Sequence, residues 1–419
     1  MGAKIINNVK FALDYQDMNS KEARTHFPQL NDKVYGKNLV YLDNAATSLR
    51  PQEVVDKWCE MSLHSNANIH RAVHLLAQEA TSEFESTREF VAEYLNAQGI
   101  GKVIFTSGAT ASVNTVASCF ALSDLKAGDE ILIAGCEHHS DIVPWQMACQ
   151  RTGAVIKVLP VMDNGTLDLE ELSSMLVPGR TRLFCVAHVS NVLGIENPVR
   201  EITRICHSAG CAVLVDGAQG IVHCRVDLKE LDCDFYVFSG HKVYAAPGTG
   251  VLFMKNWWAE KLPPFMGGGE MISTVRWEGT TYSSAPGKFE AGTQNIAGVP
   301  TLKPALQLCS DMEYDSTVTK YVMESLGSRG DIRVFGTPDD IGDKVPLFSF
   351  CVEGVHHEDL ALILDKMGIA VRSGQMCAEP LMDRFGVTGM LRASFAPYNT
   401  LEEAEFFIDS LGRAIQMLK

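Results

Sequence analysis

Short apolar runs alternate with longer amphipathic segments along most of the chain. Runs such as KVIFT (102–106), EILIAG (130–135) and DFYVFSG (234–240) predict buried β-strands, because polar residues do not alternate with the apolar ones. Segments such as ATASVNTVASCFAL (109–122) and PVREITRICHSAG (198–210) predict helices between them, and the second has Pro at its start and Gly at its end. Apolar strands separated by helices are typical of a parallel sheet covered on both faces. The predicted class is therefore α/β with a mostly parallel, doubly wound sheet.

The pattern changes beyond residue 258. Residues 259–300 are rich in Gly, Ser and Thr and predict a long irregular segment. A strand over 347–354 and helices over 356–368 and from Leu401 onward then predict a second, α+β unit. Since 419 residues exceed the usual size of one core, we expect two domains. The large domain is predicted over 35–299, and the smaller α+β domain over 1–34 together with 300–419.

Composition and charge narrow the classes of function. Apolar residues make up 46% and charged residues 21%, which is typical of a globular chain. A net charge of −15 argues against nucleic acid or an anionic membrane as the main partner. We find neither a signal-peptide pattern nor an apolar run of about 18 residues, so a cytoplasmic location without a membrane span is expected.

Twelve cysteines are scattered along the chain. Several of them, including Cys119, Cys185 and Cys351, lie in apolar runs and are expected to be reduced core thiols. Cys206 and Cys211 are close together, but no second pair with zinc-finger spacing follows them. No metal site is predicted.

Polar residues follow five of the predicted strands. Because the carboxyl ends of parallel strands meet at one edge of the sheet, we expect these groups to converge there. They are the stretch from Thr106 to Thr110, the stretch from Glu137 to His139, Asn191, the stretch from Asp216 to Gln219, and the stretch from Ser239 to Lys242.

The chemistry of these groups suggests a cofactor. The turn from Thr106 to Thr110 begins a helix, where free backbone N–H groups bind an anion, although a simple helix cap fits equally well. It has neither a Walker lysine nor GxGxxG, so a single phosphate suits it better than ATP or a dinucleotide. Asp216 either caps a turn or keeps a pyridine nitrogen protonated, and Lys242 is either a surface lysine or a Schiff-base amine. Together with the flat ring of His138, these groups favour pyridoxal phosphate.

The sequence also resembles a known family. It is similar to the class V, fold-type I pyridoxal-phosphate-dependent transferases and, within them, to the group II cysteine desulfurases of the SufS and CsdA type. The resemblance extends from about Val40 to Thr400 and is carried by YLDNAAT, NIHRAVH, EHHSDIVPWQ, VSNVLG, VLVDGAQG, SGHK, FEAGTQN, RSGQMCAEPLM and LRASFAPYNT.

The resemblance implies roles for single residues. The catalytic groups would be Lys242, which holds pyridoxal 5′-phosphate, Cys377 as the nucleophile, and His138 stacked on the cofactor ring. The remaining cofactor contacts would come from Asp216 at the pyridine nitrogen, Gln219 at the ring hydroxyl, and Ala109, Thr110, Ser239 and His241 at the phosphate. Thr293 would reach the phosphate of the other subunit of a homodimer. The substrate would be bound by Asn191 and Arg392 at its carboxylate, with Arg372 and His70 at the mouth.

The implied activity is conversion of L-cysteine to L-alanine with a persulfide on Cys377. The sulfur would pass to an acceptor protein, SufE-like or SufU-like, for iron–sulfur clusters or other sulfur-containing cofactors. A selenocysteine lyase, a class V aminotransferase and a non-catalytic scaffold remain alternatives. The chain departs from the family at the phosphate turn, which reads TSGAT, and at Met376 before the nucleophile. His139 has no role that the sequence indicates.

Overall fold

The structure is a computed structural model that describes residues 18–419. The part of the predicted small domain that falls on residues 1–17 therefore lies outside the described residues. The chain enters through short elements and two longer helices that precede the main sheet. These are α1 (Ser20–Arg24), β1 (Lys33–Val34), β2 (Lys37–Asn38), β3 (Val40–Tyr41), α2 (Gln52–Leu63) and α3 (Leu75–Tyr94).

A seven-stranded sheet forms the centre of the protein. Its strands are β4 (Gly101–Thr106), β5 (Glu130–Ala134), β6 (Val155–Leu159), β7 (Thr181–Ala187), β8 (Ala212–Asp216), β9 (Phe235–Ser239) and β10 (Gly250–Lys255). They lie in the order β4-β10-β9-β8-β7-β5-β6, and every pair is parallel except those that β10 makes with β4 and β9. The predicted α/β class with a mostly parallel sheet is confirmed.

Helices connect these strands and cover both faces of the sheet. They are α4 (Ala109–Ser123), α5 (His139–Thr152), α6 (Leu169–Met175), α7 (Val199–Ser208), α8 (Gly220–His223), α9 (Leu228–Leu231) and α10 (Asn256–Lys261). Strand β8 shows why the apolar runs lack alternation. Val213 and Val215 pack into one core cluster, whereas Ala212 and Leu214 pack into a second. Both faces of the strand are buried, as expected for a parallel sheet between helical layers.

The segment predicted to be irregular contains a hairpin. Strands β11 (Ile272–Arg276) and β12 (Gly279–Tyr282) pair antiparallel, and nearly all of their residues are exposed. A strand that is exposed on both faces needs no alternation of apolar and polar residues, so its pattern gives no strand signal.

A second sheet follows in the last quarter of the chain. Strands β13 (Ile332–Phe335), β14 (Leu347–Val352), β16 (Arg372–Gly374) and β17 (Met390–Ser394) form an antiparallel sheet in the order β13-β14-β17-β16, while β15 (Ile369–Ala370) pairs with β3. The helices of this region are α11 (Leu302–Asp311), α12 (Ser316–Gly327), α13 (His357–Lys366), α14 (Glu379–Phe385) and α15 (Leu401–Leu418). Leu302 and Leu306 of α11 pack into the main core, and Val318 of α12 packs into the core of the second sheet. The domain boundaries at 35 and 299 stay a prediction.

The stretch after β3 connects the two sheets. The side-chain amide of Asn44 donates to the Ser394 carbonyl at 2.8 Å, and the backbone N–H of Ala45 donates to Ser394 Oγ at 2.9 Å. The carbonyl of Ala45 accepts from Gln219 Nε2 at 2.8 Å. This stretch thereby forms one wall of the space between the sheets. Within residues 18–419, no helix combines the length and apolar character needed to cross a membrane.

Candidate active site

A pocket of about 240 Å³ lies where the carboxyl ends of the main strands face the second sheet. Twelve of the residues predicted from the sequence line it, which confirms that the polar groups after the strands converge. They are Ala109, Thr110, His138, Asn191, Asp216, Gln219, Ser239, His241, Lys242, Arg372, Cys377 and Arg392.

Lys242 lies on a single 3₁₀ turn directly after β9. Burial lowers the pKa of its amine, and the nearby Arg392 acts in the same direction, whereas Asp216 opposes the shift. A lysine with a lowered pKa carries more of the neutral amine, which is the nucleophilic and basic form. The surface-lysine alternative does not fit this placement.

Asp216 ends β8 and is buried among other carboxyl groups. Its Oδ1 accepts the backbone N–H of Ala218 at 2.8 Å. Asp141 and Glu137 are also fully buried, and burial together with the neighbouring Asp216 carboxylate raises the pKa of each well above its ordinary value. Burial therefore favours the neutral form of both carboxyl groups. Asp216 is the carboxylate of this group that faces the pocket.

His138 begins α5 and is held by that helix. Its Nδ1 accepts the backbone N–H of Ser140 at 3.1 Å and lies 2.8 Å from Ser140 Oγ. Burial and the nearby Lys242 lower the pKa of His138 to about 4. The ring is thus neutral, with its proton assigned to Nε2, and it lines the pocket.

The N-terminus of α4 is suited to bind an anion. The helix has no side-chain cap among the described residues, and the N–H of Ala109 donates to Ser239 Oγ at 2.8 Å. Gly108 has φ 152°, and a side chain at Gly250 would meet the Gly108 Cα at 2.4 Å. Glycine at both positions lets the turn after β4 approach β10 closely. Free N–H groups at a helix N-terminus favour a bound phosphate.

His241 completes the same wall of the pocket. Its Nδ1 lies 3.1 Å from Thr47 Oγ1, and burial followed by Lys242 lowers the pKa of His241 to about 4. The neutral ring can donate or accept a hydrogen bond without adding charge.

Two arginines lie side by side on the second sheet. Arg372 of β16 pairs directly with Arg392 of β17. Asp43 lies between them, 3.2 Å from Arg392 Nη2 and 4.0 Å from Arg372 Nη1. Arg392 Nη1 donates to the Asn191 carbonyl at 2.8 Å. Burial lowers the pKa of Arg392 to about 10, which leaves the guanidinium charged at neutral pH.

Arg392 retains an unused donor. Its buried Nε has no hydrogen-bond partner among the described residues. A buried N–H without a partner costs about 1–3 kcal/mol, and this cost is recovered when a ligand carboxylate accepts from it. The pocket therefore contains a donor suited to a carboxylate.

Cys377 is exposed at the edge of the pocket. Met376 and Cys377 both have positive φ, 54° and 55°, which is rare for residues with side chains. The Asn191 side-chain amide donates to the Met376 carbonyl at 2.9 Å and helps to hold this turn. Cys59, which lies on α2 and does not line the pocket, is the other exposed cysteine among the described residues. Burial raises the pKa of core thiols such as Cys119 to about 12.

Two predicted residues lie elsewhere in a single chain. His70 does not line the pocket, because its Nε2 contacts Glu85 Oε1 at 2.9 Å and its backbone N–H donates to Thr81. Thr293 is exposed in the loop before α11 and is also outside the pocket. The predicted roles of His70 at the substrate mouth and of Thr293 at the phosphate of the other subunit stay predictions.

The sequence interpretation missed three residues that support the site. Asp43 lies in YLDNAAT, which carried the resemblance but received no role for its acid. Asp141 was hidden inside a helical pattern. His139 was left without a role, yet its N–H donates to the Cys377 carbonyl at 2.8 Å and its Nε2 accepts from the Glu379 N–H at 3.0 Å. The two adjacent histidines after β5 are the sequence feature that could have indicated a role for His139.

Known proteins resemble this chain along nearly its whole length. Residues 40–407 match the family model described as aminotransferase class-V. A cysteine desulfurase of Cronobacter sakazakii is 42% identical over 405 residues, which are 95% of this chain and 98% of that protein. The crystal structure of the cysteine desulfurase CsdA from Escherichia coli matches with a TM-score of 0.86 and 39% identity, covering 96% of this chain and 100% of that one. The apo cysteine desulfurase from Thermococcus onnurineus matches with a TM-score of 0.89 and 34% identity, covering 96% and 99%.

Proposed function

We propose that this chain, which belongs to the class-V aminotransferase family, is a cysteine desulfurase that converts L-cysteine to L-alanine. One observation carries the proposal. The exposed thiol of Cys377 lines the same pocket as the amine of Lys242 and the guanidinium of Arg392. An amine, a carboxylate-binding cation and a nucleophilic sulfur are the groups that removal of sulfur from an amino acid requires.

The residues of the pocket fit pyridoxal phosphate. The uncapped start of α4 with Ser239 suits the phosphate, and Asp216 suits a protonated pyridine nitrogen. His138 offers a ring face, and Lys242 offers the amine that would hold the aldehyde carbon. When bound, pyridoxal phosphate supplies an electron sink that acidifies the α-carbon of the substrate.

Arg392 and Asn191 are proposed to orient the substrate. The free Nε–H of Arg392 would donate to the carboxylate of cysteine, with Arg372 adding positive charge at the mouth. Asp43 holds both guanidinium groups in place. Binding of the carboxylate by Arg392 would direct the side chain of the substrate towards the turn that carries Cys377.

Lys242 and Cys377 would carry out the proton and sulfur transfers. The neutral amine of Lys242 takes the α-proton, which its lowered pKa favours. The Cys377 thiolate attacks the sulfur of the substrate and forms an S–S bond. The C–S bond breaks, its electron pair stays on carbon, and protonation of that carbon together with return of a proton to the α-carbon gives alanine. Cys377 is left as a persulfide.

The exposed thiol of Cys377 also distinguishes a desulfurase from the alternative functions. A class V aminotransferase needs no thiol at Cys377, so the placement of this residue favours the desulfurase. Selenocysteine lyase activity stays a separate prediction, tested by comparing rates on cysteine and selenocysteine.

The cellular setting is also part of the proposal. We propose a cytoplasmic homodimer in which Thr293 reaches the phosphate site of the other subunit and His70 lies at the mouth of the substrate pocket. A SufE-like or SufU-like protein would accept the sulfur, for iron–sulfur clusters or other sulfur-containing cofactors.

The proposal is tested on purified protein incubated with L-cysteine and a reductant. We expect a yellow protein that forms alanine and sulfide in equal amounts. A yellow protein that forms a keto acid without sulfide would indicate an aminotransferase. A colourless protein that pyridoxal phosphate does not restore would overturn the cofactor assignment.

A further inference from the structure

A second cluster of reactive side chains lies outside the pocket. It consists of His188, Glu196 and Cys224, and one ligand atom from each lies within 4.8 Å of the others. None of the three lines the pocket that contains Lys242. We propose that these residues form a zinc site, with a water molecule as the fourth ligand.

The three side chains match the ligands that zinc prefers. Imidazole, thiolate and carboxylate are its usual protein ligands, and three of them with one water form an open tetrahedral site. Bonds of about 2.0–2.3 Å in a tetrahedron separate ligand atoms by about 3.3–3.8 Å. Nε2 of His188 lies 3.8 Å from Oε1 of Glu196, so only small movements would be needed to bind the ion. One thiolate and one carboxylate balance the charge of Zn²⁺.

His188 is fixed in the orientation that a zinc ligand needs. The side chain is buried, and its Nδ1 lies 3.0 Å from the hydroxyl of the buried Tyr236. This contact leaves Nε2 for the metal, and ligating histidines commonly engage their second nitrogen in this way. A side chain at Gly220 would meet His188 Nδ1 at 2.5 Å, so glycine there makes room for the ring.

The backbone holds the other two ligands close to His188. Glu196 faces Val189 across an isolated bridge, and the Asn197 N–H donates to the His188 carbonyl at 2.8 Å. Cys224 is the C-cap residue of α8, and its N–H donates to the Gly220 carbonyl at 2.8 Å. Backbone hydrogen bonds therefore hold the three residues close to one another.

Solvent can reach the cluster. A cleft of about 660 Å³ is lined by His188 and Glu196, which gives the ion a path and the water ligand a place. Binding would displace the thiol proton of Cys224 to the solvent. The ligands come from separate stretches of sequence, which explains why cysteine spacing alone predicted no metal site.

Zinc at this site would link two chain segments that also carry residues of the active site. His188 lies three residues before Asn191, and its N–H donates to the Asp216 carbonyl at 2.8 Å. Cys224 lies five residues after Gln219. We expect zinc to stabilise the holoenzyme by joining these segments.

The test uses tag-free holoenzyme that carries Cys377→Ala and Cys59→Ser, so that neither exposed thiol binds metal. Equilibrium dialysis against Zn²⁺ should give one ion per chain. Glu196→Gln, Cys224→Ser and His188→Gln should each weaken binding by at least about tenfold. Cys206→Ser, a buried cysteine outside the cluster, is the matched control and should bind zinc unchanged.

A spectroscopic probe tests the ligands directly. Co²⁺ should give the visible absorption of a tetrahedral site with a thiolate charge-transfer band, and Cys224→Ser should abolish that band. Glu196→Gln changes a half-exposed side chain and is not expected to disturb folding, which the cofactor absorption and circular dichroism check. Zinc binding that is unchanged in both Glu196→Gln and Cys224→Ser, or the absence of zinc binding by the parent protein, would overturn the proposal.

Discussion

The backbone N–H of His139 donates a hydrogen bond of 2.8 Å to the carbonyl of Cys377. The His139 ring also accepts the N–H of Glu379 at 3.0 Å. The residue after His138 thereby anchors the turn that carries the nucleophile. Two neighbouring histidines therefore connect the part of the pocket around His138 with the turn that carries Cys377.

His139→Ala should slow persulfide formation without removing the cofactor. The substitution keeps the backbone bond to Cys377 and loses the ring acceptor for Glu379, a loss of about 1 kcal/mol or roughly fivefold in rate. Single-turnover kinetics with L-cysteine measure this step, and the cofactor absorption should stay unchanged. His139→Gln, which retains an acceptor, should recover part of the rate. An unchanged rate in His139→Ala would show that the ring does not position Cys377.

Arg392→Lys should raise the KM for L-cysteine by about 10- to 100-fold, because lysine cannot supply the planar, charge-assisted donors of arginine. The comparison substrate is 2-aminoethanethiol, which is cysteine without its carboxylate. The variant and the parent protein should differ little on it. An equal loss on both substrates would mean that Arg392 acts through the structure rather than through the carboxylate.

Asp141→Asn should stabilise the protein relative to the parent. The gain in the free energy of unfolding should be larger at about pH 8 than at about pH 5. Burial, together with the nearby Asp216, raises the pKa of Asp141 in the folded state well above its ordinary value. Above that value the unfolded chain releases a proton that the folded chain retains, so the acid lowers stability as pH rises. Asparagine is neutral at every pH and removes this cost. Thermal unfolding at both pH values measures the difference.

Asp359→Asn, at an exposed aspartate of α13, is the control for this experiment. It should not reproduce the pH-dependent gain. An Asp141→Asn gain that is equal at both pH values would contradict a neutral, buried acid at this position.

Gly250→Ala should weaken binding of pyridoxal phosphate by about tenfold or more. The new methyl group would meet the Gly108 backbone at 2.4 Å and push the start of α4 away from Ser239. Absorbance titration of the apoprotein gives the dissociation constant. Gly327→Ala, where a methyl group meets nothing within 4 Å, is the matched control and should bind the cofactor normally. Equal affinities in the two variants would contradict the proposed phosphate cradle.

The central sheet, and the polar residues at the carboxyl ends of its strands, could be predicted from the sequence for a physical reason. Residues 212–215 of β8 are all apolar because both faces of the strand are buried, and Asp216 ends the strand directly after this run. The register that pairs Arg372 with Arg392, and the contact between His139 and Cys377, depend on residues far apart in the chain. No local pattern specifies such pairings. The hairpin of β11 and β12 escaped prediction because it is exposed on both faces.

The most direct test of the account is mass spectrometry of the holoenzyme after brief exposure to L-cysteine without reductant. The account predicts an added sulfur atom on the peptide that contains Cys377, formed together with alanine. Cys59→Ser should keep both products, since Cys59 is exposed but does not line the pocket. Cys377→Ser should lose the added sulfur and desulfuration while keeping the cofactor absorption. Alanine formation at the parent rate by Cys377→Ser would contradict the assignment of Cys377 as the residue that removes the sulfur.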